Sequence, residues 1–179
     1  MSSFRLIGGA PIERIVAQLE AAPFLWNANT ERRDAPGSPH RSMSDIWVRY
    51  ADAPVDHKKP HVSVMLPAWN VLTSLHGLTF DLMRDAKATQ LGGILITRIP
   101  PGGVIAAHDD RGSWHAEFYN RKVYVVLQSN ARCINECEGE EVVMRTGEVW
   151  TFDNLLSHSV TNGGAEARMT AIICMRVEA

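Results

Sequence analysis

From Gly92 to the C-terminus the chain is a succession of short β-prone runs cut by turn residues, and few architectures accept that pattern. Gly93–Pro100 is one run, closed by Pro101-Gly102-Gly103. Val104–Asp110, Lys122–Gln128, Glu141–Met144, Val149–Phe152, Ser157–Thr161 and Arg168–Val177 follow, with Gly139, Gly147 and Gly163-Gly164 as punctuation. The run at 122–128, Lys-Val-Tyr-Val-Val-Leu-Gln, is the most strongly β-prone, because β-branched and aromatic side chains suit a pleated, half-buried surface. Closely spaced short strands predict a sandwich or a barrel.

The preceding residues predict a helical front. Pro11 suits a first helical turn, and Ile12, Ile15, Val16 and Leu19 recur at helical spacing up to a stop before Pro23. Asn27–Pro39 is polar and turn-rich and predicts a loop. Ile46–Tyr50 predicts a strand, and Ala51–Pro60, with Pro54 and Pro60, another loop. Pro67–Gln90 carries Leu72, Leu75, Leu78, Leu82 and Met83 at helical spacing, weakened locally by Gly77. A chain of 179 residues suits one domain, divided here into a helical front over 1–91 and a β-rich core over 92–179.

Within the β-rich half stand His108-Asp109-Asp110, then His158, then Arg168 ten residues later. These are the parts of a non-haem iron(II) site that also binds 2-oxoglutarate. Two imidazoles and a carboxylate hold one face of iron and leave positions open for a keto acid and O₂. Strand alternation sends residues two apart to the same face, so His108 and Asp110 can share a metal while Asp109 points elsewhere. His158 is expected from a non-adjacent strand. Ten residues allow a strand, a turn at Asn162-Gly163-Gly164 and a return strand that brings Arg168 to the same cavity. A guanidinium fork there matches the distal carboxylate of 2-oxoglutarate. A lone His-x-Asp is common; the constellation carries the reading. His115 sits in a predicted loop, Pro60 disfavours a helix joining His57 to His61, and His40 and His76 carry no signal.

Two segments resemble the aspartyl/asparaginyl β-hydroxylase family of iron(II)- and 2-oxoglutarate-dependent oxygenases. They are Ile99-Pro100-Pro101-Gly102-Gly103-Val104-Ile105-Ala106-Ala107-His108-Asp109-Asp110, and Gly147-Glu148-Val149-Trp150-Thr151-Phe152-Asp153-Asn154 continued through His158-Ser159-Val160-Thr161-Asn162 to Arg168. The resemblance covers the C-terminal half closely; Trp26-Asn27, Arg32 and Ile46-Trp47-Val48-Arg49 are similar only loosely. It implies a mainly β, cupin-like jelly roll, the double-stranded β-helix, with flanking N-terminal helices. It also implies decarboxylation of 2-oxoglutarate to succinate coupled to hydroxylation of an amino acid or of a peptide side chain. By the same resemblance Thr97, eleven residues before His108, stands where the family places a hydroxyl on the cosubstrate. Lys122 and Tyr124 stand where the family usually carries Arg-x-His, a departure that leaves both as candidate carboxylate donors. Tyr124 reads equally as a core aromatic.

Substrate residues carry weaker signals. Arg49 could meet a substrate carboxylate, with Trp47 or Trp26 as a wall, although tryptophans are more often core. Asn154 could orient a ligand or simply hold the Asp153-Asn154 turn. Arg32, Arg33 and His40 lie in a polar loop that could act as a lid. Trp150 and Phe152 are expected to pack the barrel. Two other classes compete: a cupin-type metal enzyme without 2-oxoglutarate, and a non-catalytic ligand-binding module.

The remaining composition excludes rather than selects. A formal charge of −2 argues against a nucleic-acid partner held by bulk charge. No apolar run is long enough to span a bilayer, and the Met1-Ser2-Ser3-Phe4-Arg5 start has no secretory apolar stretch, so a cytoplasmic protein is expected. The three cysteines, Cys133, Cys137 and Cys174, predict free thiols rather than a disulfide framework, the first two near a turn.

Overall fold

Strand alternation sorts the side chains of this chain onto two faces, and the site lies where the polar face is enclosed. The computed structural model describes residues 2–51 and 54–178; Asp52 and Ala53, within the predicted Ala51–Pro60 loop, and the two terminal residues lie outside the described residues. In chain order the strands are β1 Phe4–Gly9, β2 Ser44–Tyr50, β3 Val64–Met65, β4 Ala88–Ile99, β5 Val104–His108, β6 Arg121–Gln128, β7 Cys133–Cys137, β8 Glu140–Val142, β9 Glu148–Phe152, β10 His158–Asn162 and β11 Arg168–Val177. The helices are α1 Glu13–Ala21, α2 Glu31–Asp34, α3 Pro67–Val71, α4 Ser74–Asp85 and α5 Trp114–Phe118. Seven strands form one sheet in the order β1-β9-β6-β11-β4-β2-β3, and four form a second in the order β5-β10-β7-β8.

The larger sheet has one apolar face and one cavity face. Met169, Ala171, Ile173 and Met175 of β11 join Ile94 and Ile96 of β4 and Val123 and Val125 of β6 in a core closed by Ile15 and Leu19 of α1 and Leu75 of α4. The alternate residues, Arg168, Ile172 and Cys174 on β11, Lys122 and Tyr124 on β6, and Trp47 and Arg49 on β2, line the space toward the second sheet. The mainly β jelly roll is therefore the fold.

Several boundaries depart from expectation. Besides the expected strand at Ile46–Tyr50, β1 and β3 lie in the helical front, and β4 begins at Ala88, so one sheet draws on both halves of the chain. β1 escaped notice because only Phe4 on it is buried, which leaves no apolar alternation to read. The second helix breaks into α3 and α4 and ends at Asp85; Lys87, with φ 54°, turns the chain into β4. The predicted loops hold the short helices α2 and α5. Cys133 and Cys137 are free and adjacent to turns, as expected, and lie fully buried at the two ends of β7.

The link from β10 to β11 is a sheet crossing, not the hairpin return expected from the spacing, since the two strands belong to different sheets. Asn162 organises the crossing. Its fully buried amide nitrogen donates to the carbonyls of Ile99, Pro100 and Glu166 at 3.1, 3.1 and 2.8 Å. Its amide oxygen accepts from Asn130 Nδ2 at 2.9 Å and from the Gly164 N–H at 3.2 Å. The Gly163 N–H donates to Arg132 O at 2.9 Å. Among the described residues no helix is long and apolar enough to cross a membrane.

Candidate active site

His108 closes β5 and His158 opens β10, and the two are register partners across that ladder, with ring centroids 4.4 Å apart. Direct pairing replaces the expected non-adjacent strand. Each Nδ1 lies against a carbonyl of its own chain, Ala106 O at 2.7 Å and Leu156 O at 2.8 Å. Those bonds place the proton on Nδ1 and turn each Nε2 lone pair outward, the tautomer a metal ligand needs.

Asp110 joins them by a different route from the one predicted. β5 ends at His108, so Asp110 sits in the following turn and not on the strand. Its N–H donates to Asn154 O at 3.1 Å, its own carbonyl accepts from the Ser113 N–H at 3.3 Å, and Asn154 Nδ2 donates to its carboxylate at 2.7 Å. Lys122 Nζ makes a close ion pair with the same oxygen. The other oxygen, Oδ1, lies 4.0 Å from His108 Nε2. One donor atom from each of His108, Asp110 and His158 lies within 4.8 Å of the other two. Asp109 is exposed and accepts from the Arg111 N–H.

The protonation states also suit a metal. Burial works to raise the Asp110 carboxyl, but the charge and hydrogen bond of Lys122, with help from His158 and Asn154, hold it well below the usual carboxylate range. Burial lowers the His158 imidazole. The site therefore offers a neutral His158 imidazole and an ionised carboxylate beside the His108 ring, a donor set that fits iron(II).

A cavity of about 430 Å³ opens over this triad. Arg168 lines it, only 4% exposed, with Nε unpartnered and Nη2 3.7 Å from the Met144 sulfur. No carboxylate meets it among the described residues, and burial pulls its pKa down. An uncompensated buried charge is costly, so this one calls for an anion. Thr97 lines the same cavity, accepting from Arg32 Nη1 at 3.5 Å; Arg32 in turn pairs with buried Asp45 at 3.2 Å. Tyr124 stacks on Phe152 with centroids 4.7 Å apart, and burial raises its hydroxyl pKa well above the ordinary value.

Two expectations need correction. Asn154 does not line this cavity; its amide and carbonyl hold Asp110 instead. Lys122 lines it, but its ammonium is engaged by Asp110, which makes it a partner of that carboxylate before a partner of the cosubstrate. Sequence reasoning set His115 aside as a loop residue and gave His40 only a place in a polar loop. His40 stands edge-on to His108 at 5.0 Å, and burial pushes its pKa down to about 2. His115, on α5, accepts the Gly93 N–H at 2.9 Å, and burial brings it to about 3. No local spacing marks either residue; only the tertiary fold brings them to the cavity.

A family model described as aspartyl/asparaginyl beta-hydroxylase matches residues 70–178, more than half of the chain. The chain belongs to the aspartyl/asparaginyl β-hydroxylase family. As a member, it is a 2-oxoglutarate-dependent hydroxylase. No curated protein matches it by sequence. Solved structures show this hydroxylase's fold elsewhere. A prolyl hydroxylase from Trichoplax adhaerens, in complex with a hypoxia inducible factor peptide fragment, superposes with TM-score 0.64 at 11% identity, covering 97% of this chain and 83% of that one. The viral collagen prolyl hydroxylase of Paramecium Bursaria Chlorella virus-1, in a 2-oxoglutarate complex, gives 0.58 at 11% identity over 99% and 97%. A 2-oxoglutarate–iron(II) oxygenase family protein from Burkholderia pseudomallei gives 0.53 at 16% identity over 75% and 67%.

Proposed function

We propose that His108, Asp110 and His158 hold iron(II), that Arg168 receives the distal carboxylate of 2-oxoglutarate, and that the enzyme hydroxylates a C–H bond of an amino acid or of a peptide side chain. The observation that carries this reading is the buried, unpaired Arg168 in the same cavity as the triad. Bound together, iron(II) and 2-oxoglutarate supply the oxidising chemistry, with O₂ as oxidant and succinate and carbon dioxide as products. The protein supplies geometry. The Ala106 and Leu156 carbonyls fix the imidazole tautomers, and Lys122 and Asn154 keep Asp110 ionised and aimed. Thr97, which lines the cavity, would give its hydroxyl to the cosubstrate, and the stacked Tyr124 and Phe152 would wall it against water. The peptide held by the Trichoplax relative supports a peptide side chain as one substrate option. A sheet drawing strands from both halves supports a single domain, and three buried free thiols support a reducing, cytoplasmic setting.

The test is anaerobic loading with iron(II), then titration of 2-oxoglutarate, followed by O₂ and measurement of succinate and of a one-oxygen mass gain in added amino acids and peptides. Binding and 2-oxoglutarate-dependent O₂ uptake are expected in the wild type and not in a His108→Ala/His158→Ala variant. A metal-loaded wild type that binds no 2-oxoglutarate would support a cupin-type metal enzyme instead. Binding with neither turnover nor uncoupled succinate formation would support a ligand-binding module.

A further inference from the structure

A third imidazole stands at the triad, and the metal reading leaves it idle. His40 is buried, lines the cavity and meets His108 edge-on, with ring centroids 5.0 Å apart. It is not among the three residues whose donor atoms converge within 4.8 Å. Its backbone is nonetheless fixed on both sides. The His40 N–H donates to Ser38 Oγ at 3.1 Å, and the His40 carbonyl accepts from the Met43 N–H at 3.0 Å. Ser38 Oγ in turn donates to Arg32 O at 2.6 Å, and buried Met43 packs with Ile99 and Ile105. A polar loop residue with no structural partner for its ring would not need such an anchorage.

The ring nitrogens show where His40 is aimed. Nδ1 is enclosed by protein without a hydrogen-bond partner, which leaves Nε2 as the nitrogen toward the cavity. A buried N–H without an acceptor is rarer than a bare lone pair, so in a neutral ring the proton belongs on Nε2. His40 therefore offers one N–H beside His108. A carboxylate that ligates a metal through one oxygen keeps a second oxygen that needs a donor. The cations closest to the triad are engaged elsewhere, Lys122 by Asp110 and Arg32 by Asp45.

We propose that His40 is a second cosubstrate-binding residue, which donates its Nε2–H to the free oxygen of the 2-oxoglutarate carboxylate beside the keto group. This rests on the assignment of the triad to iron(II) and of Arg168 to the distal carboxylate. The two ends of one small molecule are then held from opposite ends of the chain, by the loop before β2 and by the first residue of β11.

Iron(II)-loaded, oxygen-free wild type, His40→Phe and His40→Gln are titrated with 2-oxoglutarate, and the keto-acid-to-iron absorbance gives both affinity and band position. Phe keeps a flat ring and removes the donor; Gln restores an N–H at similar reach. His40→Phe should bind 2-oxoglutarate ten- to a hundredfold more weakly, or about 1.4–2.8 kcal/mol, with the band displaced, and His40→Gln should recover most of both. Metal affinity by calorimetry should match the wild type in both. Oxalate, which has a chelating end and no distal carboxylate, should lose a similar factor in His40→Phe and little in Arg168→Ala. In zinc-loaded wild type labelled with 15N-histidine, 2-oxoglutarate should protect one more imidazole N–H from exchange, a readout that needs no variant to fold. Unchanged 2-oxoglutarate affinity in His40→Phe, equal losses in His40→Phe and His40→Gln, weakened metal binding in either, oxalate binding that ignores His40, or no newly protected N–H once 2-oxoglutarate is bound would overturn the proposal. A wild type that binds metal but no 2-oxoglutarate would instead overturn the reading on which it rests.

Discussion

At the scale of single residues, the two neighbouring aspartates separate cleanly. Asp110→Asn removes the charge that Lys122 and the metal share, and we expect at least tenfold weaker iron(II) binding by calorimetry, in line with the losses seen when metal-site partners are removed. Asp109→Asn changes an exposed side chain and should stay within about 0.5 kcal/mol of wild-type stability with metal affinity unchanged. Comparable losses at both positions would contradict the geometry. Arg168→Ala removes the partner of a buried carboxylate, worth roughly 3–5 kcal/mol, so 2-oxoglutarate should bind on the order of a hundred- to a few-thousandfold more weakly while metal binding holds. Keto-acid-to-iron absorbance under anaerobic conditions measures it. His108, Asp110, His158 and Arg168 were legible because their spacing is a pattern in one dimension. The reason offered for Asp110 was wrong: a turn tethered to Asn154 presents it, and a strand does not.

Elements decide how firmly those residues are held. Asn154 follows β9 and fastens the turn after β5 through both its amide and its carbonyl. Asn154→Ala should weaken metal binding ten- to a hundredfold. The apoprotein's 2-oxoglutarate anchor stays intact, so excess metal should restore cosubstrate binding, and a failure to restore it would mean a wider collapse. β4 contributes a close approach: a Cβ at Gly92 would lie 2.7 Å from the buried Tyr119 ring. Gly92→Ala should cost about 1–3 kcal/mol in urea denaturation, as overpacking does, whereas an unchanged midpoint would show that the ring can move aside. The long strands β6 and β11 could be read to within a residue because β-branched runs and flanking turns mark them. β1 could not, since an edge strand with one buried side chain has no period, and neither could β7, whose alternation of Cys, Asn and Cys does not look apolar.

For the whole molecule, buried histidines set the acid limit, and His40 and His115 are the two most depressed. His40 and His115 titrate near 2 and 3 in the fold, against 6.5 in the open chain. Both are depressed, so below about pH 6.5 the unfolded chain gains protons that the native state refuses, and stability falls as pH falls. At about 1.4 kcal/mol per pH unit for each group, the chelator-treated protein should lose roughly 2.7 kcal/mol per unit between pH 6 and pH 4. Urea midpoints across that range test this, and His115→Gln should reduce the slope by about 1.4 kcal/mol per pH unit. The crossing at Asn162 has a slower consequence. Asn-Gly is the dipeptide most prone to ageing, because the glycine nitrogen attacks the asparagine amide and leaves an acid behind. Here the attacking Gly163 nitrogen is tied to Arg132 O, and the amide is fastened by three carbonyls. Folding thus stops a chemical clock, which runs only while the chain is open. Each tick is irreversible because ammonia is lost, and it works against refolding, since a carboxylate at that place would face the oxygens of Ile99, Pro100 and Glu166 with nothing to donate.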